Sequence, residues 1–130
     1  MVSIAPLSAD SYVTDDPSWL GSAHGTDSTE TGTVDTALFT AGTHYPDGFL
    51  PSGTNLAQVT LTGLYGPYDA AAIDGREVFV GHLIAPRVVA SATQKIAVGI
   101  LTHGRVVKAN LPIALDAAGQ ADAAGRLRYV

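Results

Sequence analysis

GTHYPDGFLPSGTNLAQVTLTGLYGPYD, residues 42–69, is the stretch on which the fold turns. Gly42, Pro46, Gly48, Pro51, Gly53, Gly63, Gly66 and Pro67 punctuate it, and between them stand Tyr45, Phe49, Leu50, Leu56, Val59, Leu61, Leu64, Tyr65 and Tyr68. Proline fixes φ and glycine reaches φ > 0, so this backbone bends repeatedly and forms no helix. Its apolar residues must still be buried. Leu50-Pro51-Ser52-Gly53 has the form of a type I turn, with proline second and glycine fourth. Asn55 to Thr62 predicts a half-buried strand with Ala57, Val59 and Leu61 on the core face and Leu56, Gln58, Thr60 and Thr62 opposite. A rigid, aromatic-bearing ribbon suits a contact surface determined by shape. It suits catalysis only where acids, bases or nucleophiles converge on it.

Downstream, Asp74-Gly75 is a tight-turn dipeptide, and a short helical turn over residues 69–73 fits the Ala-rich approach to it. EVFVGHLIAP, residues 77–86, predicts an apolar strand ending at a proline. Residues 95–102 place Ile96, Val98 and Ile100 on one face, His103-Gly104 turns, and residues 105–111 return, which predicts a hairpin. A short helix is expected over residues 115–124 with Gly125 as its stop. RLRYV closes the chain as a strand, with Arg126 and Arg128 on one face and Leu127 and Tyr129 on the other. Upstream, residues 33–42 read as a strand.

Residues 1–32 are rich in Ser, Thr, Asp and Gly and have neither period. Such a composition buries too little apolar surface to offset ordering. Their exceptions are Trp19-Leu20 and the apolar Val2, Ile4 and Leu7. The expected organisation is a flexible arm over 1–32 and a β-rich domain over 33–130. In the arm, Trp19, Leu20, Val2 and Ile4 are the candidates for ordering on a partner, since Trp is enriched among interface anchors.

The 130 residues fit one domain; 46% are hydrophobic and only 15% charged, against about 25% charged in an average domain. That shortfall fits a surface partly covered by a partner. Seven Lys and Arg against twelve acids give a net charge of −5. This disfavours nucleic acid and anionic membrane as partners. There is no cysteine, and no apolar run reaches the roughly 18–20 residues of a membrane span. The N-terminal residues lack the form of a signal peptide, so synthesis in a reducing cytoplasm is expected.

His24, His44, His82 and His103 have no metal-binding spacing, and no metal or cofactor is expected. His82, inside an apolar strand, reads as a hydrogen-bonded core histidine. The acid pairs Asp15-Asp16 and Asp69/Asp74 read as linker and turn charges. The chain contains no GxSxG, GxGxxG or phosphate-binding loop, and an enzyme is not expected.

Four runs, TVDTALFTAGTHYPDGFLPSGTNLAQVT, GLYGPYD, VFVGHLIAP and AVGILTHGRVVKANLPI, with the arm segment DDPSWLGSAHGTD, resemble the head decoration proteins of tailed bacteriophages. These are relatives of the lambda head decoration protein, in the form met in actinobacterial phages. The resemblance extends from about Asp15 to Val130. It implies a mainly β, β-clip-like small domain with one short helix and an extended N-terminal arm. It further implies a homotrimer at three-fold and quasi-three-fold sites of the expanded head, in contact with the major capsid protein. The implied role is a cement against packaged-DNA pressure on the virion surface. Tyr65, Tyr68, Phe49, Arg126 and Arg128 are then the candidates for trimer or capsid contacts. The alternative is a free-standing β-barrel module that stacks a small ligand or glycan on Tyr45, Phe49, Tyr65 and Tyr68. A dUTPase-like β-clip enzyme is weaker, because its phosphate-handling and acidic motifs are not visible.

Overall fold

The computed structural model describes residues 15–130. Val2 and Ile4 lie outside the described residues. The chain is mainly β. Its strands are β1 (Glu30–Asp35), β2 (Phe49–Leu50), β3 (Asn55–Gln58), β4 (Tyr65–Pro67), β5 (Phe79–Leu83), β6 (Arg87–Val88), β7 (Lys95–Leu101), β8 (Gly104–Val106) and β9 (Leu127–Tyr129). Two short helices join them, α1 (Ala41–His44) and α2 (Ala117–Asp122).

Five strands close a barrel in the order β1-β4-β3-β5-β7, while β2 pairs with β6 and β8 with β9. The longest ladder is antiparallel, from Glu30 opposite Ile100 to Asp35 opposite Lys95. Every barrel strand contributes to the inner core: Val34, Leu56, Tyr65, Leu83, and Ile96, Val98 and Ile100 of β7. The strict alternation of β7 is the period-two signature of a strand with one buried face. Gly32 has a packing reason: a Cβ there would lie 2.7 Å from Tyr65 Cε1. A second core forms under β8, β9 and α2 from Trp19, Phe79, Leu101, Val106, Leu115, Ala123 and Leu127.

The ribbon departs from its sequence reading in informative ways. The turn after Leu50 runs one residue later, with the Thr54 amide on Pro51 C=O at 3.2 Å. Gly53 stands third in that turn at φ +93°, which glycine alone adopts readily. β3 ends at Gln58; its register with β5 shifts where Val80 is passed over, and Leu56 and Ala57 are both buried, so Leu56 belongs to the core. Leu61, expected inside, is 94% exposed. It stands within a turn: the Gly63 amide reaches Val59 C=O at 2.8 Å.

The expected strand over 33–42 stops at Asp35, whose carboxylate accepts the Ala37 amide at 3.1 Å and caps a 3-10 turn. Helix α1 follows, so there are two short helices where one was expected. Residues 69–73 form turns, not a helix. The hairpin over 95–111 does not form. Gly104, at φ +145°, redirects the chain, and β8 runs parallel to β9 instead. The C-terminal helix stands within the predicted bounds, with the Asp116 carboxylate capping the Gly119 amide at 2.7 Å and Gly125 at φ +87° beyond its end.

Candidate contact surfaces

Trp19, expected as an anchor on a partner, is fully buried in this chain's own second core. Its indole Nε1–H donates to Ser52 Oγ at 2.9 Å, and that hydroxyl donates to Ile84 C=O at 3.0 Å. The backbone around it docks as a strap on β8. Gly21 N–H donates to Arg105 C=O at 2.8 Å, Val107 N–H to Trp19 C=O at 2.7 Å, and Leu20 bridges Val106. Asn110 Nδ2 donates to Ser18 C=O at 3.0 Å. Trp19 to Gly21 thus dock on the domain, and β1 begins at Glu30, inside the range expected for the arm. The signal was faint in sequence, because the partners Ser52, Arg105 and Asn110 belong to no motif and lie far along the chain.

His82 sits beside Trp19, ring centroids 5.3 Å apart, and also packs on Phe79 and Tyr129. Gly53 C=O can only accept, so His82 Nδ1 donates to it at 3.1 Å. His82 Nε2 is then the acceptor for the Tyr129 hydroxyl at 2.8 Å. Both bonds suit the neutral ring, and burial pushes its pKa down to about 4. Burial also raises the Tyr129 phenol. One imidazole thus ties the Gly53 turn, β5, β9 and the Trp19 strap together.

The other candidate residues are dispersed. Tyr65 is a barrel-core residue. Tyr68 is half-buried, and its hydroxyl donates to Asp116 Oδ1 at 2.8 Å. Arg126 is turned inward, with its guanidinium on Val80 C=O at 3.0 Å and Thr102 C=O at 2.9 Å. That removes it from the exposed pair expected with Arg128, which is exposed. Phe49 is half-buried and lines a groove of about 250 Å³ with His44, Asp47, Pro51, Pro112 and Ile113. Tyr45 packs against the barrel core.

Among the described residues the most exposed large apolar side chains lie elsewhere, on a tip made by the β3–β4 turn and the loop before β5. Leu61 and Ile73 are 94% and 98% exposed, with Val78 at 54%. The tip is held from within. Thr60 N–H donates to Asp74 C=O at 2.9 Å. The Asp74 carboxylate takes Arg76 Nε at 3.1 Å and the Arg76 amide at 3.2 Å, and the backbone bond first, then the guanidinium, holds its pKa below the usual range. Glu77 Oε1 accepts the Gly75 amide at 2.8 Å, and Asp69 Oδ1 the Ala71 amide at 2.9 Å. Gly75, at φ +113°, has room for no Cβ, which would lie 2.5 Å from Gln58 C=O. The polar groups of the tip are spent on its own shape, and the aliphatic ones point outward. Sequence reading missed this surface because Leu61 fits the core period of a longer β3.

Among the described residues no group of three or more His, Asp or Glu could hold a metal ion, and no helix is long and apolar enough to cross a membrane. Comparison with protein-family models and with curated proteins gave no match.

Proposed function

We propose that this chain is a structural decoration subunit of a tailed-bacteriophage head. It binds the major capsid protein as trimers at three-fold and quasi-three-fold positions of the expanded shell and cements it against the pressure of packaged DNA. The observation that carries the reading is the preorganised tip with Leu61 and Ile73. Leu61 and Ile73 border one shallow recess at nearly full exposure, and a shared apolar patch on a loop whose polar groups are satisfied internally favours protein contact. The chain-long order of motifs supports the same reading. So does the physics of cementing: three copies acting together raise avidity by roughly 10²–10⁴, and a subunit that binds only the expanded shell stabilises that state by mass action. No reaction chemistry is invoked.

Expanded shells lacking decoration test this directly. Added protein should bind saturably, with density at three-fold sites in an image reconstruction and a higher rupture temperature. Absence of binding rejects the proposal. The Phe49 groove favours one second reading, a small-ligand or glycan module. Saturable sugar binding by the isolated protein, lost in Phe49→Ala, supports that reading instead.

A further inference from the structure

We propose that the outer face of the β8–β9 sheet, through Arg105 and Arg128, binds a carboxylate-bearing segment of a protein partner. This face is neither the Leu61–Ile73 tip nor the Phe49 groove. The site stands whether or not the chain decorates a shell.

Register places the two arginines together. β8 and β9 run parallel, with Arg105 directly opposite Arg128. Gly104, Val106 and Leu127 beside them are buried while both arginines are exposed, so the two side chains leave the same outer face. Neighbouring strands lie about 4.8 Å apart, which sets the guanidinium stems side by side. The sequence predicted such a pair from Arg126 and Arg128. The fold turns Arg126 inward onto Val80 and Thr102 and supplies Arg105 from another strand in its place.

Neither guanidinium has an ion-pair partner among the described residues, where the ion pairs are Arg76 with Asp74 and Lys95 with Asp35. Acids of the neighbouring segments are engaged elsewhere. Asp16 accepts the Ser18 amide at 3.1 Å, Asp27 the Ser28 hydroxyl at 3.5 Å, and Asp122 the Phe79 amide at 3.0 Å. Asp116 holds the Gly119 amide and the Tyr68 hydroxyl. Like charges directly opposite one another destabilise a sheet. In a chain with twelve acids and seven Lys and Arg, two unpaired cations at one register position point to an anion from outside.

The site is shaped before any ligand arrives. The Gly21 amide of the strap donates to Arg105 C=O at 2.8 Å. A Cβ on Gly21 would lie 2.7 Å from Arg105 Cγ and 3.1 Å from its Cδ, so the arginine stem lies across the bare glycine. That contact fixes the direction of the guanidinium and lowers the ordering cost of binding. Two residues further along each strand stand Val107, half-buried, and Val130, 40% exposed. Two planar forks followed by valine fit a carboxylate with apolar neighbours, as a peptide presents it, because a guanidinium grips a carboxylate bidentately. The net charge of −5 opposes nucleic acid, whose affinity comes from many neutralised phosphates.

A nuclear magnetic resonance titration of the full chain with a capped peptide of alternating glutamate and valine tests the proposal. The side-chain Nε–H signals of Arg105 and Arg128 should shift together and saturate, and binding should weaken as salt is raised. The same peptide with glutamine for glutamate should leave both signals in place. Arg105→Gln and Arg128→Gln should each weaken binding several-fold, and the double variant roughly ten-fold or more. Thermal melting without peptide separates a binding pair from a structural one. Relief of the like-charge contact should leave the Arg128→Gln midpoint at or above that of the wild type. A lower midpoint makes Arg128 a structural residue and overturns the proposal. So does a peptide that moves neither signal, and so does a response to inorganic phosphate or duplex DNA that equals or exceeds the response to the peptide.

Discussion

A buried neutral imidazole makes His82 a pH-dependent contributor to stability. Its folded pKa of about 4 lies below the ordinary 6.5, so the unfolded chain binds the proton more readily. Stability is full above about pH 6.5 and falls as pH drops towards 4, by about 2 kcal/mol at pH 5. The carboxyls of Asp16 and Asp74, held below their usual 3.8, lose their contribution only at lower pH, outside this window. Urea midpoints at pH 7 and pH 5, read by the fluorescence of Trp19, the single tryptophan, check this. His82→Gln should be less stable at pH 7 but much flatter between the two; an unchanged wild-type midpoint contradicts the assignment. Ser52 offers a second test. Ser52→Ala strands the indole N–H in the core and should cost about 1–3 kcal/mol.

At the scale of elements, Asp116 does two tasks, capping α2 and accepting the Tyr68 hydroxyl. Asp116→Ala should lose about 1–2 kcal/mol by denaturant titration. Burial first, then the bond to Asp116, pushes the Tyr68 phenol up to about 12. Spectroscopic titration should find it closer to the ordinary range in the variant. α2, β7 and the strand character of β5 were legible in sequence because local signals and burial agree there: a cap and a stop glycine, or strict alternation. The β8–β9 pairing was not. The sequence-adjacent partner, β7, is already taken on both sides by β1 and β5, and no local rule reports that. Leu61 was misread for a related reason. β3 ends at Gln58 and residues 59–63 close a turn, and periodicity cannot show where a strand stops. Trp19 was legible as an anchor but not as an anchor on its own chain, since composition describes a segment and not its docking place.

For the whole molecule, the placement of Trp19 changes how the N-terminal segment must be probed. Deleting residues 1–20 removes a core tryptophan, and losses of this kind run to about 3–5 kcal/mol. A deletion ending before Asp15 spares the strap. If the first residues reach the capsid, that shorter deletion should lower shell affinity with the urea midpoint unchanged; equal affinity removes them from the interface. The strap has one more consequence. Val107 N–H holds Trp19 C=O at 2.7 Å, and Val130 N–H holds Val106 C=O at 2.9 Å. The beginning and the end of the described chain therefore close on the same two neighbouring residues. β8 gains its partner on that side only once residues 127–129 have joined it, so the structure is not completed from its beginning alone. Contacts this distant make for a slow clock, milliseconds to seconds. In a stopped-flow refolding experiment, Trp19 should reach its native emission in the final phase, together with the last far-ultraviolet signal and not before it.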